Sequence, residues 1–230
     1  MRRAASADLT AEEEAEQAAL CGELEAAGIS ARDFGYFARN VPEAGVRAPR
    51  FDYASAAPIL IRWLPQARTP LIKERIVRSL TGESAAAPDA LQPLVAEFRK
   101  TPDEEWALKW AIGNALSTLA DASIVDDLVE LAADRRHGKG REMLMAALGR
   151  TKDERALELL VELVDDDKVA GHAISALWRL GPKSSLPYLE RARPALERQA
   201  SLGKTPLARR QADAALGRLG DAGTSGRDRT

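Results

Sequence analysis

The sequence predicts an all-α chain folded as an α-solenoid, a right-handed superhelix of antiparallel helix pairs, behind an N-terminal helical cap. Three observations predict it. Five nine-residue stretches align on a terminal leucine: IKERIVRSL (72–80), LKWAIGNAL (108–116), GREMLMAAL (140–148), VAGHAISAL (169–177) and ARRQADAAL (208–216). A second amphipathic segment precedes each, marked by Leu60, Leu94, Leu128, Leu160 and Leu189 at intervals of 34, 34, 32 and 29 residues. Aromatic residues are only 5% of a chain that is 45% hydrophobic, so its helices must pack through Ala, Leu, Val and Ile. A period of 20–50 residues is the mark of a repeat array, in which short helices bury their apolar faces only against neighbouring repeats.

Taken in order, residues 1–54 form the N-terminal helical cap region. Thr10 and Glu13 have capping-box spacing and open a helix over 10–27, with Glu12, Glu13, Glu14 and Glu16 acidic where the helix dipole favours it. Leu20, Cys21, Leu24 and Ala27 give it an apolar stripe. Ser30 is placed to cap a second helix, ARDFGYFA, anchored by Phe34 and Phe37. This region does not match the repeat, as a solenoid's terminal cap does not.

The array occupies residues 55–220 as about five helix pairs, each a first (A) helix and a second (B) helix. The B helices carry apolar or small residues at i, i+4, i+7 and i+8, one face of an α-helix. In the first copy these are Ile72, Ile76, Ser79 and Leu80, and the third column stays small as Ala115, Ala147, Ala176 and Ala215. Pro58, Pro93 and Pro187 are read near A-helix starts, where a missing N–H costs little. TPDE (101–104), RHGKG (136–140) and DDDK (165–168) are read as turns, and Gly149 and Gly181 as B-helix stops. Residues 221–230 are polar and Gly-rich and read as a disordered tail.

The pattern [V/I/L]-[K/R]-x-x-[A/I/L]-x-x-[A/S]-L, as in Ile72–Leu80 and Leu108–Leu116, resembles the HEAT repeat family, and its bacterial short-repeat branch more closely. RTKDERALELLVELVDDD (150–167) is similar to a family loop and first helix. The resemblance covers roughly residues 55–220. It implies an interaction array in which a basic residue, here Lys73, Lys109, Arg141 or Arg209, pairs with an acid in the preceding turn. Only Asp103 fits that place cleanly, and the fourth copy has Ala170 instead of a base. A continuous ladder of charge along the array is therefore not expected.

Chemistry finds little support. A formal charge of −2 draws in neither nucleic acid nor an anionic membrane. One cysteine, Cys21, excludes a disulfide framework within the chain and suits a reducing compartment. No apolar run approaches the roughly 20 residues that span a bilayer, and no apolar segment follows the basic start MRRAASADLT, so the expectation is a cytoplasmic protein without a membrane role. His137 and His172 stand in no local nucleophile motif, and HGKGR follows no strand and lacks P-loop glycine spacing. Asp165, Asp166 and Asp167 read as solvated charge in a turn. No catalytic residue, metal site or cofactor is assigned.

The working surface expected is the inner, concave face of the B helices. Opposite the apolar columns lie Glu74, Trp110, Glu142, Gly171 and Arg210, then Arg78, Asn114, Ala146, Ser175 and Ala214, with Arg75, Met143 and His172 on a flank. The candidate protein-binding residues are Glu74, Arg75, Arg78, Trp110, Asn114, Glu142, Met143, His172, Ser175 and Arg210. Trp110 is read as exposed, an anchor type favoured at interfaces, whereas Trp63, Trp106 and Trp178 are read as core. The expected function is a non-enzymatic scaffold whose partner is another protein or peptide.

Two alternatives rest on resemblance. Trp106 and Trp110 are faintly similar to the paired tryptophans of HEAT-like DNA glycosylases, but Glu74 and Glu142 stand where a basic groove should be. Short HEAT-like repeats also occur in chromophore lyases and chaperones.

Overall fold

The computed structural model describes residues 9–31, 34, 53–81 and 88–225. Twelve α-helices and three 3-10 segments make up their regular structure, and no strand occurs among the described residues. The chain divides into two compact units, Met1–Glu97 and Phe98–Thr230.

In the first unit, α1 (Ala11–Ala26) begins at the expected capping box. The Glu13 N–H donates to Thr10 Oγ1 at 3.2 Å, and the Thr10 N–H donates to Glu13 Oε2 at 2.8 Å. Leu20 and Leu24 are buried, while Cys21 is half-buried and Ala27 exposed. Helix α1 packs on α2 (Tyr53–Trp63) and α3 (Pro70–Leu80), which pack on each other. Glu16 fastens α1 to the start of α3, accepting from the backbone N–H of Arg68 (2.5 Å), the backbone N–H of Thr69 (3.0 Å) and the Thr69 hydroxyl (2.6 Å). Burial works against the Glu16 charge, but the Thr69 hydroxyl and the two N–H groups hold its pKa below the usual carboxylate value. Of the helix read after Ser30, only Ala31 and Phe34, both buried, belong to the described residues; Phe37 lies outside them.

Helix α4 (Leu91–Lys100) crosses the division between the units. The second unit continues with α5 (Trp106–Leu119), α6 (Val125–Ala133), α7 (Glu142–Thr151), α8 (Glu154–Leu163), α9 (Ala170–Trp178), α10 (Pro182–Arg191), α11 (Arg193–Leu202) and α12 (Pro206–Ser225). Its B helices stack in order, α5 on α7, α7 on α9 and α9 on α12, and the A helices α6, α8 and α10 form a second layer. This is the solenoid arrangement that the repeat predicts. The core lies between the layers, with Ile112, Leu116, Leu128, Leu144, Leu160 and Leu177 all fully buried.

The B layer closes tightly at Gly171, which belongs to the column read as facing away from the apolar side. A Cβ built on Gly171 would sit 2.7 Å from Leu207 Cγ and 3.0 Å from the Ala208 backbone nitrogen, so α12 lies directly on α9 there. Gly149 is not a stop. It lies inside α7, where a Cβ would meet Ala176 of α9 at 3.3 Å, and the left-handed residue ending α7 is Lys152, at φ +56°. Gly181 does follow α9 and adopts φ +94°, ψ 166°, a region only glycine occupies readily.

Three further readings need correction. Pro58 and Pro187 lie in mid-helix rather than at a start; both are exposed, and Pro182 is the proline that opens α10. The fifth repeat has an extra helix, because Pro194 opens α11 one residue past α10, and α11 packs against both α10 and α12. Helix α12 runs on to Ser225, five residues into the stretch read as a tail; residues 226–230 lie outside those described.

Candidate functional site

The B helices begin and end in different chemistry. Their basic residues lie in or just before the first turn, where the helix dipole disfavours a cation. Each therefore needs an acid or a carbonyl. Lys109, only 1% exposed, donates to Asp103, and its ammonium lies 2.8 Å from His137 Nδ1, itself 2.9 Å from Asp103 Oδ1, and 5.2 Å from the Phe98 ring centre. His137 and Lys109 together hold the Asp103 carboxyl below its usual range. Arg141, 0% exposed, reaches forward instead: Nη2 donates to Asp166 Oδ2 (2.9 Å) and Nη1 to the Ala132 carbonyl (2.9 Å). Arg209 Nη1 donates to the Gly203 carbonyl at 2.6 Å. In the first unit Lys73 pairs with Glu97.

The charge pairing therefore extends further than the preceding-turn rule allows, because Lys73 and Arg141 take their acids from the following repeat. For the same reason the aspartates of 165–167 are not simply solvated. Asp166 is buried against Arg141, Asp165 meets Arg198 Nε at 3.0 Å, and Asp167 meets Lys204 at 2.5 Å.

The candidate protein-binding residues fall in both units. Glu74, Arg75 and Arg78 are on α3 of the first, each half-buried. Arg78 Nε donates to Glu74 Oε1 at 2.8 Å one turn back, and Arg75 donates to Gln17 of α1. The others are on the stacked B helices of the second unit. Trp110 and Asn114 (α5), Glu142 and Met143 (α7), and His172 and Ser175 (α9) are half-buried, and Arg210 (α12) is exposed.

Met143 packs at the α5–α7 contact, 3.0 Å from a Cβ built on Gly113. Burial lowers the His172 pKa, and the Glu142 charge nearby partly opposes the shift. The Ser175 hydroxyl donates to the Gly171 carbonyl at 2.7 Å. The column is interrupted at Gly171, which α12 covers.

The tryptophans differ from their reading. Trp106 is 52% exposed, because as the first residue of α5 it projects past the packed layer, and Lys139 lies 6.0 Å from its ring centre. Trp63 and Trp178 are half-buried with polar partners. Trp63 Nε1 donates to Glu23 Oε2 (2.5 Å), and the Arg218 guanidinium lies 3.9 Å from the Trp178 ring centre. Trp110, read as exposed, is only half-buried.

The carboxyl ends of the B helices hold features the column reading missed. One hollow of about 330 Å³ is lined by Ser117, Gly149, Arg150, Lys152, Arg179 and Leu180 among others, without a carboxylate. A second, of about 580 Å³, shares Lys152 and Leu180 and is lined also by Leu157, Pro187, Tyr188, Glu154 and the paired Glu158 and Arg191. The signal was present in the sequence as Arg150 and Lys152 closing a helix. Placing Arg179 beside them required the fold.

No cluster of three metal-binding side chains occurs among the described residues, and no described helix is long and apolar enough to cross a membrane. Residues 97–178 match a family model described as HEAT repeats. No curated protein and no solved structure matches the chain.

Proposed function

We propose that the chain, whose residues 97–178 match HEAT repeats, is a non-enzymatic scaffold that binds another protein along the B-helix face of its second unit. Repeats of this family commonly mediate protein contacts, and a stack of helices offers area that no single helix could. One observation supports this reading above the rest. Trp110, Met143 and His172 stand at neighbouring positions of the repeat, the third in α5 and the fourth in α7 and α9, on three successive stacked helices, and each is half-buried. Such a row pairs an aromatic and a flexible thioether with polar neighbours, the mixture from which interface anchors are drawn. Glu74, Arg75 and Arg78 would supply a separate, charged contribution from the first unit.

The test is affinity capture from host lysate, comparing wild type with the Trp110→Ala, Met143→Ala, His172→Ala variant after circular dichroism shows equal helicity. A protein retained by wild type and lost by the variant is the expected result. Identical eluates would remove this face from consideration, and a coloured or nucleic-acid eluate would redirect the function.

A further inference from the structure

In the second unit, Arg99, Arg155, Arg191, Arg193 and Arg198 are each matched with a carboxylate. The three cations around the smaller hollow are not. Arg150 uses Nε on the Ala120 carbonyl (3.1 Å), which leaves its two terminal nitrogens uncommitted. Lys152 and Arg179 are exposed and form no ion pair among the described residues. Three like charges around one hollow repel one another, and a ligand of opposite sign relieves that repulsion.

Lys152 adds a second, independent observation. It holds the left-handed conformation at the end of α7, where glycine or asparagine is the unstrained choice. A strained lysine is thus held where two hollows meet, and backbone strain of this kind clusters at ligand clamps.

We propose that the two hollows form one cleft for an acidic peptide segment. Its carboxylates meet Arg150, Lys152 and Arg179, and a neighbouring apolar side chain of the same peptide rests against Leu157, Leu180 and Tyr188. This gives the partner's chemistry and rests on the protein-binding reading above. The larger hollow favours a peptide over a small anion, which has no use for an apolar floor. Glu154 and Glu158 also line the larger hollow, which confines the peptide's carboxylates to the smaller one and disfavours a polyanionic backbone running through both.

The experiment is fluorescence anisotropy with a labelled peptide of repeated Glu-Glu-Leu triads, alongside a Lys-Lys-Leu peptide and an oligothymidylate. Wild type should bind the first saturably and the second not at all. Arg150→Glu with Arg179→Glu should weaken binding at least about ten-fold. Because Arg150 also caps a carbonyl, Lys152→Glu is the second variant, expected to weaken binding several-fold with an unchanged melting temperature. Absence of saturable binding by wild type, equal binding of the lysine peptide, or indifference to the charge reversals would each overturn the proposal. So would oligothymidylate displacing the peptide from the same cations, which would assign the cleft to nucleic acid. If the titration fails while capture still depends on Trp110, the cleft falls and the scaffold reading stands. If the peptide binds while capture ignores Trp110, the cleft stands without that row.

Discussion

The two ends of the B helices in the second unit place cations in opposite circumstances. At the amino ends, Lys109 and Arg141 are buried, and carboxylates from Asp103 and Asp166 satisfy them. At the carboxyl ends, Arg150 and Arg179 are exposed and no carboxylate meets them. The helix dipole explains part of the difference, since it repels a cation at the first turn and welcomes one at the last. Burial explains the rest. An unmatched charge is tolerable in water and costly inside the stack. Cations at one end therefore hold the repeats together, and those at the other remain available to a ligand.

The largest effect should come from breaking the buried pair. Arg141→Ala removes the buried cation from Asp166, leaving it only the exposed Arg135 at 3.6 Å, and should cost about 3 kcal/mol in urea denaturation, whereas Arg179→Gln should stay within about 0.5 kcal/mol. Equal costs for the two variants would erase the contrast.

The fourth repeat comes next, because there Ala170 replaces the base and packing alone closes the amino end. Gly171→Ala forces a methyl against Leu207 and Ala208. Overpacking of about 1–3 kcal/mol, offset in part by better helix propensity of about 1 kcal/mol, should leave a net loss of up to about 2 kcal/mol in the same assay. A gain in stability would show that α12 is not seated on α9.

A smaller effect of opposite sign belongs to the carboxyl end. Lys152→Gly should release left-handed strain and raise stability by about 0.5–1 kcal/mol by thermal melting, while weakening the acidic peptide. Stability gained together with binding lost is the signature of strain kept for a ligand.

The smallest effect is confined to acid. His137 and Lys109 depress the Asp103 pKa in the folded chain, so its contribution to stability is complete above the unfolded value and is lost as pH falls through the folded one. Asp103→Asn should flatten the acid limb of the stability curve below about pH 4, with little change in slope near neutrality. An unchanged acid limb would mean that the cluster contributes nothing to the amino-end pattern.

How much was legible follows from the range of each interaction. The capping box at Thr10 and the faces built on Ile72, Ile112 and Leu144 were readable, because each is fixed within one or two helical turns. Arg141 with Asp166, and Lys73 with Glu97, were not, because their partners belong to the next repeat. Trp106 misled because its helical phase suited the core while its place at the helix start carried it outside. Gly149 misled in the opposite way, since a glycine near a helix end serves equally as a stop or as a close contact.

The sequence by itself determined the helices, their pairing and their repeat, because periodicity and spacing are properties of the chain read in one dimension. Only the tertiary structure decided which cations were matched, which tryptophan was exposed, and that Arg150, Lys152 and Arg179 border one hollow. Those outcomes depend on which side chains of neighbouring repeats come within a few ångströms. A repeat pattern sets where the helices stack but leaves that local choice to the individual residues at each contact.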